Sequence, residues 1–255
     1  MEHPFLTASW RYLAMLHYEV PVTLLRPLVP TGTELDSFGG STLASMVGFR
    51  FLDTRLLGVP VPFHRDFDEV NLRFYVRRRA EDGWRRGVVF VRELVPRPAI
   101  ALVARWTYNE PYTAVRMRHD LDVAGAADGL AGRATYEWRL GDRWHRLEVR
   151  TTGRPAPPDP GSQAAFLAER GWGYTVQRDG GTHEYRVAHP SWRVWTEAVG
   201  RLDCDVRAVY GHGFAECLTA LPRSASLAEG SAVQVYTGRR LPTPQIGWHE
   251  EASGR

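Results

Sequence analysis

The chain contains no lysine: every one of its 32 basic residues, among 255 in total, is arginine. Lysine is the side chain whose amine forms Schiff bases with carbonyl substrates. Arginine cannot replace it, because the guanidinium group stays protonated and is not nucleophilic. The sequence therefore excludes reactions that proceed through a lysine imine.

Cysteine is also scarce, and long apolar runs are missing. Cys204 and Cys217 are too few for a disulfide framework or a four-cysteine metal site, and neither belongs to a CxxC pair. No stretch approaches the roughly 18 consecutive apolar residues of a membrane-spanning helix, and the N-terminus has no basic region followed by an apolar one. We therefore predict a cytoplasmic protein with no membrane partner.

Motifs for common cofactors and macromolecular partners are missing as well. The densest basic runs, Arg77–Arg79 and Arg85-Arg86, flank the turn signal Asp82-Gly83. We place them at a solvated hairpin tip and predict no nucleic-acid partner. The sequence has no GxGxxG, P-loop, GxSxG, HxH or HExxH pattern. We therefore predict no cofactor and no metal, although metal ligands gathered from distant strands would leave no such spacing.

Strand-like segments separated by turn signals make up most of the chain. Trp10–Tyr18 is aromatic and apolar enough for a buried strand. Phe67–Arg79 is predicted to pair with Trp84–Val95, and Glu34–Asp36 with Ser41–Asp53 across Gly39-Gly40. Further strands are predicted near Thr113–His119, Arg133–Arg139, Trp144–Arg150, Gly173–Gln177, Glu184–Ala188, Val194–Ala198 and Gly213–Ala220.

Short helices interrupt this strand pattern at three places. Pro21 stands at a first helical position, and Pro27 and Pro30 limit the helix that follows it. Ala99–Trp106 has no internal glycine or proline and is predicted to be a short buried helix, although its periodicity also suits a strand. Ser162 is predicted to cap a helix in the segment QAAFLAER.

The predicted fold class is α+β with strands dominant: a closed or nearly closed antiparallel β-barrel with a few short helices. The proline-rich segment Gly153–Gly161 is the one credible linker, and we interpret it as a rigid connection within one domain. A single domain is predicted over residues 1–236, followed by a loose C-terminal tail over 237–255. The interior of such a barrel holds one small ligand.

The densest polar cluster lies in the predicted strand that begins at Phe67. Alternation along a strand places Glu69, Asn71 and Arg73 on one face, opposite a mostly apolar face. Two interpretations remain open: the polar face is the solvent side of a half-buried sheet, or it lines the interior of a barrel. In the second, Glu69 beside an arginine is a carboxylate available for proton transfer or for orienting a substrate.

A second candidate is Arg11, the single charged residue within the apolar run WRYLAMLHY. A lone arginine in such a strand either extends toward water at the strand end or points inward to a carboxylate of the protein or of a ligand. The sequence leaves both alternatives open.

Several short motifs follow one another in a recognisable order over residues 5–221. They are WRYLAMLHY, TLLRPLVPTGTELD, MVGFRFLD, FDEVNLRFYV, RRGVVFVREL, FLAERGWGYTV and AHPSWRV. This order resembles an uncharacterised, YqjF-like family of the acetoacetate decarboxylase-like superfamily. The resemblance implies an acetoacetate decarboxylase-like β-barrel.

The resemblance also implies roles for particular residues. Arg11 falls on an arginine of the decarboxylase active site, and Glu69 on a glutamate close to the reacting centre. Arg105 and Pro111 match an arginine and a proline that precede the paired lysines of the decarboxylase. Tyr112 and Thr113 occupy the places of those lysines. Since both amines are missing, the resemblance does not extend to imine-dependent decarboxylation.

We favour a small-molecule-binding protein whose ligand is anionic and keto-acid-like or aromatic. Arg11, Asn71, Arg73, Arg105 and Asn109 are its predicted ligand-binding residues. The alternative is an imine-independent lyase, hydratase or isomerase in which Glu69 exchanges a proton and Tyr112 serves as a weak acid.

Purely structural roles also stay open at this point, namely a buried ion pair between Arg11 and Glu69 and simple packing of Tyr112. Proteins of this fold often associate, so a homo-oligomer is included among the expected partners.

Overall fold

Strands dominate the computed structural model, which describes residues 3–98, 109–123 and 131–242. The strands are β1 (Pro4–Glu19), β2 (Glu34–Leu35), β3 (Ser37–Phe38), β4 (Ser41–Leu56), β5 (Val59–Pro60), β6 (Phe67–Ala80), β7 (Gly83–Val95), β8 (Tyr112–Ala114), β9 (Arg116–Asp122), β10 (Gly132–Leu140), β11 (Arg143–Thr151), β12 (Trp172–Val176), β13 (Thr182–Ala188), β14 (Val194–Trp195), β15 (Ala198–Asp203), β16 (Ser224–Tyr236) and β17 (Arg239–Arg240). The helices are α1 (Val22–Leu25), α2 (Gln163–Ala168), α3 (Val206–Tyr210) and α4 (His212–Leu218), with a 3-10 turn at Arg26–Leu28. The predicted strand-dominated α+β class is confirmed.

The longest strands form a ring. Their order is β16-β1-β4-β6-β7-β12-β13, and β13 pairs back onto β16 through Val187 with Val235 and Ala188 with Gln234. All neighbours in this ring are antiparallel except β7 and β12, which pair in parallel at Trp172 and Gly173. The paired strands therefore surround the interior of the ring laterally and separate it from solvent in those directions.

A second sheet, in the order β15-β11-β10-β9, packs on the outer face of this ring. The main hydrophobic core lies between the two layers, where Leu72 and Phe74 of β6 meet Tyr136 and Trp138 of β10. Alternation along β6 sends these apolar side chains outward into the core and the residues between them into the ring.

Most of the predicted elements are confirmed. The strand over Trp10–Tyr18, the pairing of β6 with β7 and the short helix after Pro21 are present. Ser162 caps α2, since its hydroxyl accepts a hydrogen bond from the backbone N–H of Ala165. The predicted helix at Ala99–Trp106 lies outside the described residues.

Other predictions are wrong. Gly213–Ala220 is not a strand: α4 occupies most of it, because Phe214 and Leu218 lie four residues apart on one buried helix face. Glu34–Leu35 pairs with β6 rather than with β4, whose hairpin partner is Ser37–Phe38. The sequence analysis also missed β16.

The predicted C-terminal tail is partly ordered. Arg239 and Arg240 form β17 against β13, and Leu241 is buried. The boundary expected at residue 237 therefore falls inside the described fold. Among the described residues, no helix is long and apolar enough to cross a membrane.

The prediction of a solvated basic tip is wrong for Arg78 and Arg85. Both reach the fully buried carboxylate of Glu184, with Nη1–Oε distances of 3.3 Å and 2.6 Å. Arg239 adds a third contact at 3.2 Å, and Tyr174 donates a hydrogen bond at 3.1 Å. These contacts tie the β6–β7 hairpin to β13 and β17.

The two layers approach closely at Gly48 of β4. A Cβ atom there would lie 2.6 Å from the Tyr136 ring, so we expect Gly48→Ala to displace that ring. Overpacking of this kind costs about 1–3 kcal/mol. Chemical denaturation should show this loss of unfolding free energy. Gly39→Ala serves as the comparison variant, because a Cβ atom at Gly39 would meet no atom within 4 Å. Equal stability of Gly48→Ala and the parent would contradict the close approach. Gly39→Ala controls for crowding alone, because the positive φ of Gly39 adds backbone strain of its own.

Candidate functional site

The ring encloses a cavity of about 270 Å³ to which each of its strands contributes. One side of the cavity carries ionisable and amide groups, and the other is aromatic and aliphatic. We call the first side the polar wall; it consists of Glu69, Asn71, Arg73, Glu93, Glu110, Tyr112 and Tyr185.

The polar wall follows from strand geometry. Glu69, Asn71 and Arg73 alternate along β6 and face inward, as the second of the two interpretations requires. Glu93 lies opposite Asn71 in the β6–β7 pairing and opposite Tyr112 in the β7–β8 pairing. These strands therefore bring an amide, a carboxyl and a phenol into one row.

A bulge in β7 makes this row compatible with the rest of the strand. The register of β7 against β6 shifts between Leu72 and Arg73, so that Phe90 and Glu93 both reach the cavity although they are three positions apart. A regular strand sends residues at that spacing to opposite faces.

Glu69 is the best-connected acid of the wall. Asn71 Nδ2 donates to Glu69 Oε1 at 2.8 Å, and the Tyr112 hydroxyl donates to Oε2 at 3.1 Å. Burial raises the pKa of Glu69 to about 7, while these two hydrogen bonds and the charge of Arg73 act in the opposite direction. A carboxyl group that titrates near neutrality is suited to accept and return a proton.

Glu93 and Glu110 are buried beside it. Burial and the charges of Glu110 and Glu69 raise the pKa of Glu93 well above its usual range. Burial raises the pKa of Glu110 to about 8, although its Oε1 accepts a hydrogen bond from the Tyr185 hydroxyl at 2.8 Å. Buried carboxyl groups whose charges act on one another do not all ionise together, so part of the cluster carries protons at neutral pH.

Two arginines face the cavity with different degrees of pairing. Arg170 forms a buried ion pair with Asp36 at 2.5 Å and lies 3.8 Å above the Phe166 ring, while its Nη2 has no hydrogen-bond partner within the described part of the chain. Arg73 is 7% exposed, and its buried Nε also has no hydrogen-bond partner among the described residues. Arg73 lies on the polar wall and makes no ion pair with any described carboxylate.

The aromatic side of the cavity adjoins the polar wall, since Phe67 precedes Glu69 on the same face of β6 and Phe49 pairs with Glu69. Phe51 stacks on Phe67 with a centroid distance of 4.5 Å, and Trp10 meets Phe51 edge-on at 5.8 Å. His189 stacks on Trp192 at 4.3 Å, and burial lowers the pKa of His189, which keeps the ring neutral. A ligand in this cavity therefore meets apolar planar surfaces at one end and hydrogen-bonding groups at the other.

The structure brings Glu69, Asn71, Arg73 and Tyr112 to one cavity, but not Arg11. A bulge at Arg11 and Tyr12, where Tyr12 has a φ of 57°, lets Trp10 and Leu13 both face inward and turns Arg11 away. The guanidinium of Arg11 donates to the Gly230 carbonyl at 3.4 Å instead. The predicted alternative of an Arg11–Glu69 ion pair is therefore wrong.

Two other predicted binding residues need separate comment. The amide of Asn109 donates to the Val176 carbonyl at 2.7 Å and does not line the cavity, whereas the next residue, Glu110, does. Arg105 lies outside the described residues. The described part of the chain holds no group of three or more His, Cys, Asp or Glu side chains arranged to bind a metal ion.

Sequence reasoning missed Glu93, Glu110, Arg170 and Tyr185. Glu93 follows Arg92 in a strand that also contains Arg85 and Arg86, so it does not stand out as a single charge in an apolar run. Tyr185 reaches Glu110 because its ring lies over Gly173, where any Cβ would come within 2.1 Å of the ring. That contact depends on tertiary pairing and leaves no pattern in the sequence.

The chain matches the DUF2071 family, described as uncharacterized conserved proteins, over residues 7–232. One relative is the uncharacterized protein YqjF of Bacillus subtilis (strain 168). It is 28% identical over 183 residues, which cover 71% of this chain and 72% of the relative. The family match over residues 7–232 therefore includes the strands that build the polar wall.

Solved structures with the same fold include enzymes. The acetoacetate decarboxylase of Legionella pneumophila subsp. pneumophila str. Philadelphia 1 has a TM-score of 0.66 at 14% identity, covering 94% of this chain and 88% of its own. The enduracididine biosynthesis enzyme MppR, solved in complex with pyruvate, has a TM-score of 0.65 at 16% identity, covering 95% of this chain and 92% of its own. Identities this low show a common fold alone, and the predicted acetoacetate decarboxylase-like fold is confirmed. The chain is a member of the DUF2071 family, YqjF-like in sequence and acetoacetate decarboxylase-like in fold.

Proposed function

We propose that this protein binds a small carboxylate with an apolar or aromatic body inside its ring, without forming an imine. The observation that carries the proposal is Arg73, a buried guanidinium on the cavity wall whose Nε has no partner among the described residues. An uncompensated buried charge is costly, and a ligand carboxylate would offset that cost through charge-assisted hydrogen bonds.

The nearby acids do not cancel this attraction at neutral pH. With a pKa of about 8, Glu110 is mostly protonated at pH 7. Burial and the charges of the neighbouring acids raise the pKa of Glu93 well above its usual range, which favours its protonated form. Glu69, with a pKa of about 7, is half protonated there. Arg73 therefore supplies most of the net charge that an incoming anion meets.

The cavity also limits the size and shape of the ligand. A volume of about 270 Å³ lies below the roughly 300–1,000 Å³ of drug-sized sites, which favours a small acid. The aromatic side, with Trp10, Phe51, Phe67 and Trp192, suits a planar or aliphatic group attached to the carboxylate. The pyruvate complex of MppR supports a 2-oxo acid as one member of this class.

Imine formation is not part of the proposal, because the chain has no lysine and Tyr112 stands on the cavity wall. Burial and the neighbouring acids raise the pKa of Tyr112 well above its usual range, so its hydroxyl stays protonated and serves as a donor. The alternative is a reaction that does not proceed through an imine. The close association of Tyr112 with Glu69 and Glu93 favours this alternative.

Replacing the unpaired arginine tests the binding proposal. We expect Arg73→Gln to weaken binding of 2-oxo-4-phenylbutanoate by about 30-fold or more, since losing one partner of a buried charge pair costs about 2–5 kcal/mol. Thermal-shift titration and isothermal calorimetry measure the effect. Arg11→Gln, outside the cavity on the same sheet, should bind like the parent.

Stability provides an internal check on the same variant. Removing an unpaired buried charge should leave the melting temperature of Arg73→Gln unchanged or raised. Equal ligand affinity of Arg73→Gln and the parent would contradict the proposal. So would the lack of any saturable binding by small aliphatic and aromatic carboxylates.

Binding should also depend on pH. Above pH 7, Glu69 and then Glu110 lose their protons, since their pKa values are about 7 and 8, and each new negative charge opposes an anionic ligand. Affinity measured by calorimetry from pH 6 to pH 9 should therefore fall. Glu110→Gln should flatten the upper part of this curve. An affinity that rises with pH would refute the assigned protonation states.

A further inference from the structure

We propose that the carboxyl group of Glu93 donates a hydrogen bond to the carbonyl oxygen of a bound 2-oxo acid, while Glu69 removes a proton from the adjacent carbon. The protein would then catalyse enolisation without an imine. This inference rests on the proposed function, because it requires the acid to bind beside Arg73.

Glu93 is 2% exposed, lines the cavity, and its Oε2 has no hydrogen-bond partner among the described residues. A buried polar atom without a partner is uncommon in folded proteins and needs an explanation. A ligand oxygen between the polar wall and the aromatic side would provide the missing partner.

Tyr112 connects Glu93 to Glu69. The Tyr112 hydroxyl lies 3.1 Å from Glu69 Oε2 and also interacts with the carboxyl group of Glu93. The two acids therefore flank one phenol and face the same small cavity. A ligand held against this wall would meet both carboxyl groups on neighbouring strands.

The two acids are suited to different tasks. Asn71, Tyr112 and Arg73 all stabilise the ionised form of Glu69, whose pKa is about 7. Burial and the charges of two neighbouring acids raise the pKa of Glu93 well above its usual range, which favours the protonated form that can donate a hydrogen bond. One carboxylate that accepts a proton beside one carboxylic acid that donates a hydrogen bond is an effective pair for enolisation.

The proposed step balances without a further reactant. Glu69 takes the proton from C3 of the 2-oxo acid, the C–H electron pair becomes the C2–C3 double bond, and the carbonyl π electrons move to the C2 oxygen. The O–H group of Glu93 stabilises the negative charge that forms on that oxygen. Return of a proton from Glu69 to C3 restores the ketone, and exchange of that proton with solvent labels the product.

Hydrogen–deuterium exchange measures this step directly. In D2O, the parent should speed the loss of the C3 proton signal of 2-oxo-4-phenylbutanoate above the buffer rate, with saturation at high concentration. Glu69→Gln should lower the exchange rate by about 100-fold or more, toward the buffer rate, since it removes the base. Glu93→Leu should lower it by about 100-fold, which is typical for loss of one donor to a developing oxyanion.

Matched variants separate catalysis from folding and binding. Glu93→Gln keeps an N–H donor in place and should retain more exchange than Glu93→Leu. Glu81→Gln, in the exposed β6–β7 turn, should match the parent. Calorimetry measures binding of 2-oxo-4-phenylbutanoate to each variant. Glu93→Leu should still bind this acid.

The outcomes distinguish this inference from the binding proposal. Binding to the parent without accelerated exchange would overturn the enolisation chemistry and leave carboxylate binding in place. Exchange in Glu93→Leu at the parent rate would overturn the role of Glu93. If the parent binds no 2-oxo acid or other small carboxylate, both proposals fail.

Discussion

Closure of the ring is the constraint on which the polar wall depends. The pairing of Val187 and Ala188 in β13 with Val235 and Gln234 in β16 converts an open sheet into a wall around a cavity. In an open sheet, the inward face of β6 would meet water, and Glu69 would titrate as an ordinary glutamate. Closure removes that water, which is the largest cause of the raised pKa values of the buried glutamates.

The second sheet contributes to the same result from outside. Its Tyr136 packs against Gly48 and donates a hydrogen bond to the Tyr12 carbonyl at 2.8 Å, beside the β1 bulge. That bulge turns Arg11 away from the cavity and brings Trp10 and Leu13 into it. Packing outside the ring is therefore coupled to which side chains line the cavity.

Sequence alone predicts those parts of the site that follow local periodicity. Alternation along β6 identified Glu69, Asn71 and Arg73 as one face, and the resemblance to a known family drew attention to Tyr112. Alternation fails where a bulge changes the count, which explains the misplaced Arg11 and the overlooked Glu93. It also gives no information on pairing between distant segments, such as β13 with β16.

The same distinction applies to the fold. Strands with strong alternation and clear turns, such as β6 and β7, were predicted within a few residues of their observed ends. The short α4 was predicted as a strand because its seven residues, HGFAECL, are too few to show a clear helical periodicity. Its burial against other elements decides its conformation. The strand pattern already predicted a closed or nearly closed barrel, and the family resemblance narrowed this to an acetoacetate decarboxylase-like barrel.

The burial of Glu184 changes how much of the chain's positive charge lies at the surface. Arg78, Arg85 and Arg239 converge on this carboxylate, so part of the arginine-rich hairpin faces inward rather than outward. The formal charge of +3 counts these guanidinium groups as though all were equally accessible. A polyanion approaching this hairpin would meet a smaller and less positive surface than the run of arginines in the sequence suggests.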